Sequence, residues 1–216
     1  MPAPRPFILV LAGVNGAGKS SVGGALLQQS GLAWFNPDRY ARSLVEELHL
    51  TQDEADSRAW LHSRELLERA ISEGSNHAFE TTLGGNTFAA LLLRACQSHD
   101  VMILFCGLAS VEQHISRVRL RVAHGGHDIP EQRIRERWIT ARSNLIRLLP
   151  QLARLQVFDN STEAAPGAEV PDPVLVLEMA AGRITFPQHD DIATLSATPD
   201  WAKPILQAAI ELQTGH

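Results

Sequence analysis

The stretch Gly13-Val14-Asn15-Gly16-Ala17-Gly18-Lys19-Ser20 constrains this chain more than any other. Its spacing is G-x-x-x-x-G-K-[ST], in which glycines permit a tight turn and successive backbone N–H groups converge on an anion. An apolar run, Phe7-Ile8-Leu9-Val10-Leu11-Ala12, precedes it, and a helix-like segment, Ser21 to Gln29, follows. A buried strand entering such a turn and leaving as a helix is the setting of a phosphate-binding loop. The helix adds its own unsatisfied N-terminal donors. Gly13, Asn15, Gly16, Ala17, Gly18, Lys19, Ser20 and Ser21 are the expected nucleotide contacts. Lys19 suits the β- and γ-phosphates and the Ser20 hydroxyl suits Mg²⁺, so the loop implies a nucleoside triphosphate, ATP or GTP.

Downstream, short apolar runs alternate with helical patterns. Leu32-Ala33-Trp34-Phe35 reads as a second strand ending in Asn36-Pro37-Asp38. Thr51 and Glu54 form a capping box ahead of a helix that Gly74 ends. His77 to Glu80 reads as a third strand, Phe88 to Cys96 as a helix, and Val101 to Cys106 as a buried strand. Two helical stretches, Ser110 to Val122 and one carrying Ile134, Trp138, Ala141, Leu145 and Leu148 on one face, flank a Gly-rich connector. Leu155 to Phe158 is the expected fifth strand. Near-continuously apolar strands alternating with helices predict an α/β fold, a three-layer sandwich of the P-loop NTPase type around a mainly parallel five-stranded sheet. Past residue 161, the pattern predicts a connector, a hairpin (Val174 to Glu178 with Arg183 to Phe186) and a closing helix over Pro204 to Leu212. Ligands of such sheets bind at the carboxyl ends of strands, which selects the loops after the first three.

Charge and cysteine usage narrow the function classes. A net charge of -5 argues against a general nucleic-acid binder. Cys96 and Cys106 lack C-x-x-C spacing and fit a reducing cytoplasm. The first apolar run leads straight into the phosphate loop rather than to a cleavage site, and no run reaches the length of a membrane span.

Beyond the loop, Asp38 follows the second strand, where a carboxylate suits the base of a phosphoryl transfer or an N-cap after proline. Glu80-Thr81-Thr82 follows the third strand. Glu80 suits substrate hydroxyls or water-bound Mg²⁺, Thr82 a hydrogen bond to substrate, and both also suit a cap ahead of the next helix. Arg117 with Arg121, and Arg133 with Arg137, are i,i+4 pairs on two helices joined by Gly125-Gly126. That arrangement predicts a cationic lid closing on phosphates, the alternative being a solvated basic face. His124 and His127 lack the further ligands that a zinc site needs.

Gly13 to Ser20, Asn36-Pro37-Asp38, Phe79-Glu80-Thr81-Thr82-Leu83, Gly125 to Pro130 with Arg137-Trp138, and Asp159-Asn160-Ser161 together resemble the zeta toxin family of P-loop kinases, in its "predicted ABC-type ATPase" branch. The resemblance spans about residues 6 to 161. It implies an ATP- and Mg²⁺-dependent kinase acting on a sugar hydroxyl of a UDP-N-acetylhexosamine such as UDP-N-acetylglucosamine, and an antitoxin protein as partner. By motif, Asp38 would be the base, Glu80 and Thr82 the substrate-binding Glu-x-Thr, and Arg121 the lid cation. Arg117, Arg137 and Asn160 would approach the nucleotide, and His127 would stand on the acceptor side where founding toxins use arginine. Residues 1–161 would then be the kinase domain, with a lid over about 110–148, and 162–216 would pack on the same domain.

Overall fold

The computed structural model describes residues 4–20, 22–23, 32–163 and 171–215. Lys19, Ser20, Val22 and Gly23 are helical, while Ser21 and the rest of the expected first helix lie outside the described residues. One sheet organises the molecule. Strand β1 (Phe7–Ala12) lies between β2 (His77–Thr81) and β3 (Asp100–Gly107), and β4 (Arg154–Asp159) follows β3, all parallel. Strands β5 (Val174–Ala180) and β6 (Arg183–Phe186) then extend the sheet antiparallel, giving the order β2-β1-β3-β4-β5-β6. The α/β sandwich is as predicted, but the sheet has six strands rather than five.

Two differences have local causes. The expected second strand is a single bridge, Phe35 to Phe79, because Asn36 and Pro37 start a helix at once. That helix, α1 (Pro37–Leu48), was not foreseen. Its signal was present, since the Asn36 side chain accepts the Arg39 N–H at 2.9 Å and Pro37 fills the first turn, where no donor is missed. Asn36 therefore takes the capping role considered for Asp38, whose carboxylate in the first turn is left for other partners. The hairpin is the second difference. Expected beside a five-stranded sheet, it instead continues that sheet, because β5 pairs with β4.

The remaining helices are α2 (Gln52–Glu73), α3 (Asn86–Ala95), α4 (Val111–Ala123), α5 (Glu131–Leu148), the short α6 (Ile192–Ser196) and α7 (Lys203–Thr214). The capping box at Thr51 and the left-handed Gly74 end cap of α2 are as predicted. The core runs from Ile8, Val10 and Ile103 in the sheet to Ile134, Leu145 and Leu148 of α5 and Ile205 of α7. Burying each such side chain contributes about 1.5–3 kcal/mol, so α5 and the tail helix α7 are held by the same core as the sheet.

Candidate functional site

The phosphate loop leaves β1 at the carboxyl edge of the sheet. Gly13 has φ +139°, and a Cβ there would lie 2.2 Å from the Cys106 carbonyl oxygen on β3, so no other residue fits. At Gly18 (φ +81°) a Cβ would meet the Asn160 amide at 2.4 Å. That amide donates to the Ala17 carbonyl at 2.9 Å and braces the loop from the end of β4.

Beside the loop, a cavity of about 1060 Å³ opens between the α1–α2 hairpin and α5, over the ends of β1 and β2. Lys19, Asp38, Glu80, Thr82, His127, Asn15 and Arg137 all line it. Seven residues chosen from the sequence thus converge on one space. Asp53, Asp56, Trp60 and Ser63 of α2 form the opposite wall, and the Ser63 hydroxyl is buried without a partner among the described residues.

The Glu80 carboxylate is buried and fully engaged. It accepts from the Ser20 hydroxyl at 3.0 Å, the Asn36 amide at 2.9 Å and the Trp34 indole at 2.9 Å. Asn36 also donates to the Ser20 oxygen at 3.3 Å. Glu80 thus backs the serine expected at the metal. The Thr82 hydroxyl accepts the Gly84 N–H at 3.3 Å, shaping the β2–α3 turn while facing the cavity.

The lid arginines divide. Arg121 pairs with Asp38 at 3.5 Å and donates to the His127 carbonyl at 3.3 Å, which ties the α4–α5 connector to the mouth of the cleft. Arg137 donates to the Asn15 side chain at 2.8 Å, and Arg133 lines the cavity on the same face of α5. Burial pulls the Arg137 pKa down, neighbouring Arg133 adds to this, and Asp38 and Asp56 oppose it. Arg117 does not line the cavity; its guanidinium bonds the Thr162 carbonyl at 3.4 Å, on the Asn160 side of the loop. Arg119 and Arg135 pair with Glu131 and Glu112 instead, stapling α4 to α5 at the surface. The α4–α5 pair expected as a lid is thus clasped together at its surface.

Sequence reasoning missed two groups here. One is the Trp34–Asn36 support of Glu80, which a turn-like Asn-Pro conceals. The other is His114 of α4, buried and bonded through Nδ1 to the Asn15 carbonyl at 2.8 Å. Only its apolar neighbours Ile115 and Val118 hinted that this face is internal.

The sequence matches an AAA domain family over residues 8–145, well over half of the chain. The chain belongs to that family. No curated protein matches it. Among solved structures, a chain of the AvrRxo1-ORF1:AvrRxo1-ORF2 complex, determined with sulphate and also with ATP, superposes with TM-score 0.61 at 16% identity. The superposition covers 96% of this chain and 64% of that one, so this chain spans less than two thirds of the AvrRxo1 chain's length. A chain of the Pnkp1/Rnl/Hen1 RNA repair complex gives TM-score 0.50 at 17% identity, over 65% of this chain and 45% of that one. A chain of the PezAT toxin-antitoxin system of Streptococcus pneumoniae superposes more loosely, at TM-score 0.47 and 16% identity, over 74% of this chain and 69% of that one. At such identities the first two likenesses show the P-loop α/β fold.

Proposed function

We propose that the chain is an ATP- and Mg²⁺-dependent phosphotransferase that moves the γ-phosphoryl group to a hydroxyl of a small acceptor. The observation that carries this is the convergence of Lys19, Asp38, Glu80, Thr82 and Arg137 on one cavity beside a glycine-shaped phosphate loop. Hard oxygen donors suit Mg²⁺ at Ser20. Its proton is committed to Glu80, which leaves an oxygen lone pair for the cation. A Mg²⁺ held there would complete its shell with phosphate oxygens and water. When bound, the cation neutralises charge on the transferring group.

The chain's own residues do the rest. Lys19 holds the β- and γ-phosphates, and the loop N–H groups orient them. Asp38 accepts the acceptor's proton, and Thr82 and His127 position its hydroxyls. Arg121 and Arg137 stabilise the equatorial charge, with Arg121 leaving Asp38 as phosphate arrives. Arg117 and Asn160 face the nucleotide from the far side of the loop. Catalysis of this kind is positioning plus electrostatics.

The finer reading follows the zeta toxin resemblance: the acceptor is a UDP-N-acetylhexosamine such as UDP-N-acetylglucosamine, phosphorylated in the cytoplasm, and an antitoxin protein restrains the activity. The AvrRxo1 and PezAT proteins are also two-component assemblies by their names. Among the described residues, no helix is long and apolar enough to cross a membrane. Residues 1–161 carry the reaction, and 162–216 complete the same unit through β5 and β6.

The test is a ³¹P NMR and mass-shift assay with ATP, Mg²⁺ and a panel of UDP-sugars, nucleosides and aminoglycosides. A phosphorylated UDP-N-acetylhexosamine is expected. With Asp38→Asn, ATP binding should persist while kcat falls about a hundredfold or more. Transfer only to another class of acceptor would overturn the UDP-sugar reading alone. ATP binding with no transfer to any acceptor would overturn the kinase reading in favour of a nucleotide switch.

A further inference from the structure

Asn15 lies at the crest of the phosphate loop, buried, and two lid helices grip it. Arg137 of α5 holds its side-chain oxygen at 2.8 Å, and His114 of α4 bonds its backbone carbonyl at 2.8 Å. Helix α4 backs directly onto the loop here. A Cβ on Gly16 would lie 2.8 Å from the His114 carbonyl oxygen, so the helix backbone and the loop backbone nearly touch. An Nδ1 facing a carbonyl oxygen must carry the proton, because two lone pairs would repel. His114 is therefore the donor and Asn15 the acceptor.

The consequence follows from the planarity of the peptide. The Asn15 C=O and the Gly16 N–H belong to one trans unit and point in opposite directions. A carbonyl held outward on His114 sends the next N–H away from α4, toward the concave side where an anion is bound. We infer that His114 is a positioning residue for nucleotide binding, presetting the loop for phosphate and coupling α4 to it through Asn15. This rests on the nucleotide-binding reading above and adds a residue to it. No other described side chain bonds the Asn15 carbonyl.

Histidine suits the task because it donates without adding charge. Burial pushes its pKa down to about 4; the Asn15 carbonyl opposes this, and the cations Lys19, Arg117 and Arg142 add to the fall. The folded chain thus keeps the ring neutral where an unfolded histidine, near 6.5, takes up a proton. Stability supplied by the neutral ring is complete above about pH 6.5 and is lost as pH falls toward 4.

The experiment compares wild type, His114→Leu and His114→Asn by calorimetric binding of ADP with Mg²⁺, thermal melting and steady-state kinetics with ATP. Leucine keeps apolar volume and loses the donor, whereas asparagine offers an amide N–H near the place of Nδ1. The expected result is Mg·ADP affinity about tenfold or more weaker in His114→Leu and largely restored in His114→Asn, with the KM for ATP rising ahead of any fall in kcat. A folded His114→Leu that binds like wild type, or a His114→Asn no better than the leucine variant, overturns the inference. Should the leucine variant not fold, ¹⁵N imidazole NMR of the wild type decides. A neutral ring protonated on Nδ1 supports the inference, and a neutral ring protonated on Nε2 alone, whose Nδ1 has no proton to give the Asn15 carbonyl, overturns it. Wild type that binds no Mg·ADP would overturn the loop reading and this one together.

Discussion

The two walls of the cleft are built differently. On the nucleotide side the loop is pinned by β3, Asn160, His114 and Arg137, and it rests on a core that reaches from β2 to α7. On the facing side, the α1–α2 hairpin carries its own small cluster of Ala41, Leu44, Ala55 and Ala59, separate from that core. It is anchored at its root by the aromatic contacts of Phe35, Tyr40 and His62, and by Leu67 further along α2. Phosphate chemistry demands fixed geometry, so that side is over-determined. In the proposed reaction, the facing wall needs only to present side chains to the acceptor, and alanine-sized packing suffices to hold it. The cleft thus joins a heavily braced phosphate-loop floor to a lightly packed helical wall.

Lys19→Ala attacks the floor and should lower phosphoryl transfer at least about a thousandfold with the melting temperature nearly unchanged. Retention of most of the activity in a direct transfer assay would contradict the division drawn above. Stability should separate the two regions next. Leu155→Ala, in β4 of the main core, is expected to cost about 2–5 kcal/mol by urea unfolding, and Leu44→Ala, at the hairpin's thinner cluster, clearly less. Equal losses would mean that the hairpin is as integral as the sheet. Glu80→Gln sharpens the floor itself. Losing the charge behind Ser20 should raise the Mg²⁺ concentration for half-maximal activity about tenfold, while the KM of the acceptor changes little. The reverse pattern would return Glu80 to substrate binding, the role the zeta toxin resemblance implies for it.

Much of this was legible along the chain. The loop spacing, the buried runs of β1 and β3 and the caps at Thr51 and Gly74 are local signals, and each appears where it was read. The errors came from segments whose state is decided by neighbours. Leu32 to Phe35 has strand-forming residues, yet Asn36 and Pro37 claim the chain for α1 before a ladder can form. The hairpin was visible as a hairpin, but its docking on β4 depends on an edge that no local pattern announces. Likewise, the helical spacing of the four arginines did not say which would reach the cleft: Arg133 and Arg137 line it, Arg121 reaches its edge only through Asp38, and Arg117 turns to Thr162.

By itself, the sequence determined the phosphate loop, because its glycines and Lys19-Ser20 act through backbone turns and atoms only a few residues apart. It also determined the alternation that makes an α/β sandwich, since apolar periodicity is a local property. Tertiary structure alone decided that Glu80, from 60 positions downstream, would sit behind Ser20, and that His114 and Arg137 would share Asn15. Those contacts join residues far apart in the chain, and long-range packing of helices on the sheet is what brings their polar atoms within bonding distance.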